Sequence, residues 1–333
     1  MSSATNSTVQ PDNARVTMAP SNPGGGIAPY IKEIGRGKEG VRALSREQAA
    51  DLMGRILDGE VSDLELGAFC LAMRIKGETA QEMAGFLDAT HARLHRLQTP
   101  SGTTAVVLPS YNGARKLPVL TPLLALLLAR QGVPVLIHGT PTESSRVDAA
   151  KVLAILGVKA LTAIDTGANT TSSRSLQPGQ VVFAPTGVLL PGLQRLLEVR
   201  RVVGLRNSAH SLVKLMNPVV GDAVVVGSYT HPEYATSMAE VFALMPYRAL
   251  LLRGTEGEPV ADPRRVPQMD GFVHGQRQLL QEAQAGSLAR VPDLPSLEAQ
   301  ATANYIQRVL AGELAVPAPI ARQVECILQV STS

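Results

Sequence analysis

Between Leu108 and Lys116 the chain reads Leu108-Pro109-Ser110-Tyr111-Asn112-Gly113-Ala114-Arg115-Lys116, a short loop with one glycine and two adjacent cations. The apolar run Thr104-Ala105-Val106-Val107 precedes it, and a helix-like run from Thr121 to Gln131 follows. A glycine-bearing loop between a strand and a helix N-terminus turns backbone N–H groups toward one point, which suits a phosphate. Asn112, Gly113, Arg115 and Lys116 are its candidate contacts. The run Ser144-Ser145-Arg146 reads first as a helix N-cap, and its hydroxyls and N–H groups would also serve a phosphate. From Arg195 to Lys214 the cations Arg195, Arg200, Arg201, Arg206 and Lys214 face a single carboxylate, Glu198. From Tyr30 to Arg46, Lys32, Arg36, Lys38, Arg42 and Arg46 face Glu33 and Glu39. Either cluster alone reads as a solvated helix face; two of them near a cationic phosphate-type loop are harder to dismiss in that way. His138 and His210 have no carboxylate at a supporting spacing, so each is expected to be hydrogen-bonded structure rather than an acid–base pair, with His138 kept among the phosphate-side candidates.

The elements that must position these residues are legible. Ser45 with Gln48 at capping-box spacing opens a helix through Leu57, Ser62 or Asp63 opens a second ending near Gly77, and Thr79 opens a third. Beyond Pro100 short apolar runs alternate with helical ones: strands at Val133 to Ile137, Val181 to Phe183, Val224 to Val226 and Leu250 to Leu252, helices at Val147 to Leu156, Leu189 to Val203 and Pro232 to Leu244. This predicts an α/β protein, an N-terminal all-helical subdomain followed by a larger α/β domain with a mostly parallel central sheet. The boundaries expected are a disordered leader over 1–28, a helical domain over 29–98 with the C-terminal helices packing nearby, and an α/β domain over 99–333. Segment 165–180 reads as a loop, 253–296 as extended and partly irregular, and Leu297 to Leu310 with Pro319 to Val330 as a final helical pair.

Composition sets bounds. At 333 residues and 45% hydrophobic the chain can bury a sizeable core. Cys70 and Cys326 have no CxxC partner and lie in apolar helical patterns, so they are expected to be reduced core thiols of a cytoplasmic protein. No apolar run has transmembrane length and the N-terminus lacks a secretory pattern, so no membrane partner is expected. Aromatics are only 3%, so beyond Tyr111 there is no stacking platform, and any contact with a polyanion is expected at its backbone without strong base readout.

Ala43-Leu44-Ser45-Arg46-Glu47, Gly59-Glu60-Val61-Ser62-Asp63 and Arg74-Ile75-Lys76-Gly77-Glu78-Thr79 together resemble the helical domain of the anthranilate phosphoribosyltransferase superfamily, glycosyltransferase family 3. Ile137-His138-Gly139 with Ser144-Ser145 is similar to that family's Lys-His-Gly-Asn-Arg…Ser-Ser segment, with Ile137 for the Lys and Thr140 for the Asn. The stretch from Gly204-Leu205-Arg206 to Asn217-Pro218 resembles the segment that gives an arginine to the aromatic-acid site. His231-Pro232-Glu233-Tyr234 and Gly254-Thr255-Glu256-Gly257 match two later landmarks. The resemblance spans roughly residues 30 to 330 and implies the fold above.

The departures are chemical. The family's loop is Gly-Thr-Gly-Gly-Asp and holds the pyrophosphate of phosphoribosyl pyrophosphate; here Gly113 alone remains and the acidic residue is gone. The family's Asp-Glu pair for Mg²⁺ falls on Pro259 and Val260, with Glu256 and Glu258 nearby. Pro-Ser-Tyr-Asn-Gly-Ala-Arg-Lys and Arg-Asn-Ser-Ala-His resemble a YbiB-type divergent branch, which the resemblance implies binds nucleic acid. The expectation is therefore a catalytically degenerate homodimer, paired through the helical face of Leu64, Ala68 and Leu71, that binds DNA without sequence preference and without cofactor or metal. Single-stranded DNA and RNA stay open as partners. The alternatives are a phosphoribosyltransferase with a displaced metal site at Glu256 and Glu258, and a small-molecule sensor that keeps the cleft.

Overall fold

The computed structural model describes residues 26–37, 39–164 and 175–333. The leader up to residue 25, Lys38 and the Thr170-Thr171-Ser172-Ser173 run lie outside the described residues. Helix α1 (Ala28–Ile34) is followed by α2 (Arg46–Asp58), α3 (Asp63–Lys76) and α4 (Ala80–His91). The last three open in one way: Ser45, Ser62 and Thr79 each accept from the N–H three residues on, and Gln48, Glu65 and Glu82 each return to the cap's own N–H. Each box satisfies two of the N–H groups a helix start leaves unpaired. Glu65 also accepts from Ile27 N at 2.9 Å, and Ile27 is fully buried, so Ile27 is part of the packed helical domain. Glu82, likewise fully buried, accepts from Leu44 N at 2.9 Å and from Lys76 Nζ at 2.5 Å, locking the entries of α2 and α4 together.

The rest of the chain runs β1 (Leu97–Gln98), β2 (Ala105–Pro109), α5 (Thr121–Arg130), β3 (Val135–Gly139), α6 (Ala149–Ile155), β4 (Val181–Pro185), α7 (Thr186–Leu189) and α8 (Pro191–Val203). It continues through α9 (Ala209–Leu212), β5 (Val219–Val220), β6 (Ala223–Tyr229), α10 (Pro232–Leu244), β7 (Arg248–Arg253), β8 (Met269–Val273), β9 (Gln276–Gln281), α11 (Ala299–Leu310) and α12 (Ala318–Thr332). The main sheet is ordered β4-β3-β2-β6-β7-β8-β9. Its first five strands are parallel and the last two antiparallel. Building outward from β2, the chain first goes to β3 and β4 on one side, then returns to add β6 and β7 on the other. The strand ends beside that reversal are where open α/β sheets form a crevice, so the loops after β2 and β6 are placed to meet a ligand.

Alternate residues of each strand serve two cores. Ala105, Val107, Leu136, Val225 and Leu251 pack with the helical domain, α8 and α10, whereas Val106, Leu108, Ile137, Val224 and Leu250 pack with α5, α6, α11 and α12. Both faces are apolar because both are covered, which is why these strands read as continuous hydrophobic runs. The helical domain seats on α8 and α10. At the α8 contact, a Cβ on Gly192 would come within 2.0 Å of Leu57 O, so glycine is required there. Two expectations change. The C-terminal helices join the second core rather than packing beside the helical domain, since their apolar stripes (Ala303, Ile306, Ile320, Ile327) meet that sheet face. Within the stretch expected to be irregular, β8 and β9 form a hairpin that turns at His274 (φ 50°) and Gly275 (φ 76°). Its outer strand is mostly exposed and lacks an apolar pattern. Cys70 and Cys326 are buried free thiols, and burial pushes Cys70 up to about 11. No described helix is long and apolar enough to cross a membrane.

Candidate phosphate cleft between the domains

The β2–α5 loop does point its backbone N–H groups at anions, but the anions belong to the chain itself. Glu258, 1% exposed, accepts from Asn112 N at 2.7 Å, Gly113 N at 2.9 Å, Thr121 Oγ1 at 2.9 Å and Ser110 Oγ. Glu256 accepts from Arg115 N at 2.8 Å, Lys116 N at 3.0 Å and Leu117 N at 3.3 Å. The turn that carries both is held in place: Asn112 Nδ2 donates to Glu256 O at 2.7 Å, while Ser228 Oγ and Lys214 Nζ each donate to Gly257 O at 2.9 Å. Glu256 sits at φ 54°, a left-handed conformation that non-glycine residues rarely take.

Beside this filled loop is an open cavity of about 560 Å³ between the α3–α4 junction and α9, β6 and α10. Arg74 and Glu78 line it from the helical domain, and Arg206, His210, Lys214 and Tyr234 from the α/β domain. Glu78 accepts from Ser208 Oγ, which stitches the two walls together. Burial brings Lys214 down to about 8 although the Glu258 charge pulls the other way. Burial, helped by Arg206, brings His210 down to about 4, so it is neutral at pH 7. Among the described residues, His210 Nε2 is buried without a hydrogen-bond partner. Arg206 is exposed as a residue, but desolvation of its guanidinium, followed by the Arg200 and Arg146 charges, lowers its pKa. It has no hydrogen bond or ion pair among the described residues, and it lines both this cavity and a smaller one reaching Tyr111 and Asn112.

The predicted residues divide accordingly. The backbone donors of Asn112, Gly113, Arg115 and Lys116 are taken by Glu256 and Glu258, leaving the exposed Arg115 and Lys116 side chains as the loop's outward charge. His138 is fully buried, with Nδ1 2.8 Å from Tyr111 Oη, and burial brings it down to about 3. The phosphate role for His138 is thus corrected by its burial, and Tyr111, 4% exposed, is closed to stacking. Ser144 and Ser145 are exposed, but the cap of α6 is Asp148, which accepts from Lys151 N. Arg146 Nη1 donates to Asn112 O at 3.1 Å, and Arg200 pairs with Glu143, holding that carboxyl below its usual range. Arg201 is exposed, whereas Arg195 donates to Ile56 O at 2.9 Å and works as a clamp between domains. Sequence reasoning missed the partnership of Glu256 and Glu258 with the loop, which joins segments about 140 residues apart.

The Mg²⁺ that the resemblance implies does not fit these residues. Pro259 and Val260 are buried and have no side-chain oxygen to offer. The nearby carboxylates already accept from the seven donors of the loop. Among the described residues no group of three or more His, Cys, Asp or Glu side chains could hold a metal ion.

Residues 28–93 match the helical bundle domain of the glycosyl transferase family. Over 301 residues the chain is 40% identical to the uncharacterized protein YbiB of Escherichia coli (strain K12), covering 90% of this chain and 92% of that one. It is 31% identical over 278 residues to the anthranilate phosphoribosyltransferase of Salinispora arenicola (strain CNS-205), covering 81% and 76%. Among solved structures, the Saccharomyces cerevisiae anthranilate phosphoribosyltransferase in complex with PRPP and Mg superposes with a TM-score of 0.67 at 15% identity, covering 92% of this chain and 88% of that one. The Thermus thermophilus enzyme does so at 0.65 and 23%, covering 90% and 87%. These structural likenesses concern the fold.

Proposed function

The chain belongs to the anthranilate phosphoribosyltransferase-like superfamily of glycosyltransferase family 3, and from that premise we propose that it binds nucleic acid at the rim of the interdomain cleft and does not transfer phosphoribosyl groups. One observation carries the reading: the carboxylates nearest the family's metal position are tied to the chain's own loop, while the Arg115 and Lys116 side chains of that loop are exposed. Arg115, Lys116, Arg201 and Arg206 are exposed, and Arg146, Arg200 and Lys214 are half-buried. A donor that must expel pyrophosphate needs its leaving charge stabilised by metal or by preorganised N–H groups, and both are denied here. A polyanion needs only exposed cations, each of which releases counterions on meeting a phosphate. DNA is the proposed partner, with single-stranded DNA and RNA as arms of the test.

The proposed assembly is a homodimer. Along α3, Leu64 (85% exposed), Leu71 (47%) and Ile75 (79%) form an outward apolar stripe with Ala68 between them. A two-fold pair joined there would present two clefts to one strand, raising avidity through effective concentration.

The test is a fluorescence anisotropy titration of labelled single- and double-stranded oligonucleotides at several salt concentrations. Log affinity should fall with log salt by about 0.7 to 0.9 for each phosphate contact. Replacing Arg115 and Lys116 with Ala should weaken every sequence alike and flatten the slope. Unchanged affinity and slope would remove the cleft rim from the reading. The second reading, a transferase with a displaced metal site, is favoured by the cavity of about 560 Å³, which suits a small molecule. Mg²⁺-dependent turnover of phosphoribosyl pyrophosphate with anthranilate would put it first.

A further inference from the structure

We infer that Glu256 and Glu258 are the resident anions of an oxyanion site in the β2–α5 loop, and that they exclude from it external ligands bearing two linked anionic groups, diphosphates first. The site is defined by its donors. Asn112 N and Gly113 N, with the hydroxyls of Ser110 and Thr121, converge on one carboxylate, and the N–H groups of Arg115, Lys116 and Leu117 converge on the other. Successive backbone N–H groups aimed at one point form an anion-binding concavity whatever fills it. Two such concavities on consecutive stretches of one loop match a ligand with two anionic centres, and the two carboxylates, two residues apart on one turn, take both.

The occupation is built rather than incidental. The left-handed backbone of Glu256 is held from both sides: its carbonyl accepts from Asn112 and the next carbonyl accepts from Ser228 and Lys214. Gly257, at φ 90°, lets the turn pass so close to the loop that a Cβ there would lie 2.1 Å from Asn112 Nδ2. Among the described residues Glu258 has no cation in hydrogen-bond contact; the loop is its solvation. An external diphosphate would have to displace two tethered carboxylates, which pay no entropy of association, and would meet their charge on approach. The inference does not depend on nucleic-acid binding, because the proposed rim uses side chains and leaves these donors alone.

Inorganic pyrophosphate, without metal, is the probe, and amide hydrogen exchange of the peptide spanning Ser110 to Thr121 is the readout. Pyrophosphate held by the rim arginines leaves that readout unmoved. In the wild-type chain the loop amides should be protected and unaffected by pyrophosphate. In Glu256→Ala, exchange at Arg115 to Leu117 should rise, pyrophosphate should restore protection, and calorimetric affinity should exceed that of the wild type by about tenfold or more, the scale of charge-assisted hydrogen bonds. Formate, a detached carboxylate, should restore protection as well. A folded Glu256→Ala whose loop gains nothing from pyrophosphate or formate overturns the inference. So does a wild-type loop that pyrophosphate protects further, a result that needs no variant. If Glu256→Ala does not fold, Glu256→Gln, which keeps the shape and removes the charge, decides: pyrophosphate protection gained supports the inference, and none sinks it.

Discussion

Two halves of one cleft have opposite fates in this molecule. On the β2–α5 side, the loop donors meet internal carboxylates and the hydroxyls of Ser110 and Thr121 are used up, so little is left for a ligand. On the α9–α10 side, Arg206 has no partner among the described residues, His210 keeps Nε2 unpaired and a cavity of about 560 Å³ remains. The difference teaches how one fold changes occupation. A carboxylate placed where a phosphate could sit turns half of a binding site into structure, while the other half stays available.

The sharpest way to break this comparison is Glu258→Ala. It would strand four donors, three of them buried, around a side chain that is 1% exposed. The expected loss is about 3 to 5 kcal/mol in urea unfolding, as for a buried hydrogen-bonded charge with one side removed. A loss below about 1 kcal/mol would mean water replaces the carboxylate freely.

Acid comes next. Burial depresses His138 to about 3 and both His91 and His210 to about 4. Between the ordinary value of 6.5 and these values the folded chain binds fewer protons than the unfolded one, so stability should fall as pH drops through that window. Each histidine adds at most about 1.4 kcal/mol per pH unit to the slope. Urea midpoints at pH 7, 6 and 5 check this, and His138→Gln should flatten the curve. Because His210 faces the open half, a bound oligonucleotide should raise its pKa and leave His138 unmoved, as read by ring-proton NMR.

Gly257→Ala places a methyl against Asn112 at a left-handed φ and should cost about 2 kcal/mol, a typical size for such strain. The same change at Gly204, at φ 76° with open space around it, should cost about 1 kcal/mol. Equal losses would show that the tight turn is not what matters.

A smaller effect belongs to Lys214. Its value near 8 means that its charge is lost as pH rises through 8, so oligonucleotide affinity should weaken between pH 7 and 9, and Lys214→Met should abolish that dependence. The smallest effect on stability, within about 0.5 kcal/mol, is expected for Leu64→Glu with Ile75→Glu, because both side chains are exposed. If the proposed dimer forms through α3, sedimentation velocity should nonetheless show a shift to monomer, and an unchanged species would remove α3 from that proposal.

Much of this architecture was legible because it is written locally. The capping residues Ser45, Ser62 and Thr79 mark their helices, and Val106, Ile137 and Val224 mark strands covered on both faces. β9 was illegible because its exposed Gln-Arg-Gln stretch has no apolar alternation and is fixed only by pairing with β8. Ser144 and Ser145 gave a plausible cap, yet Asp148 holds that place, since three neighbouring polar residues can each serve and packing chooses. The cleft was half legible. Arg206 was found by its segment, but Glu258 looks in sequence like a spare carboxylate beside a missing metal pair. Its role appears only when β7 lies two strands from β2.

That separation has a consequence in time. The strut between Glu258 and the loop closes 137 to 148 residues of chain, whereas the helical domain is complete by residue 91. Loop closure over such a span is entropically costly, and contacts of this kind form late. During synthesis the helical domain can therefore settle while the β2–α5 loop still waits, hydrated, for a carboxylate not yet made. Pulse-labelled exchange during refolding should find the amides of Arg115 to Leu117 among the last to become protected, so that the cleft's two halves differ in age as well as in occupancy.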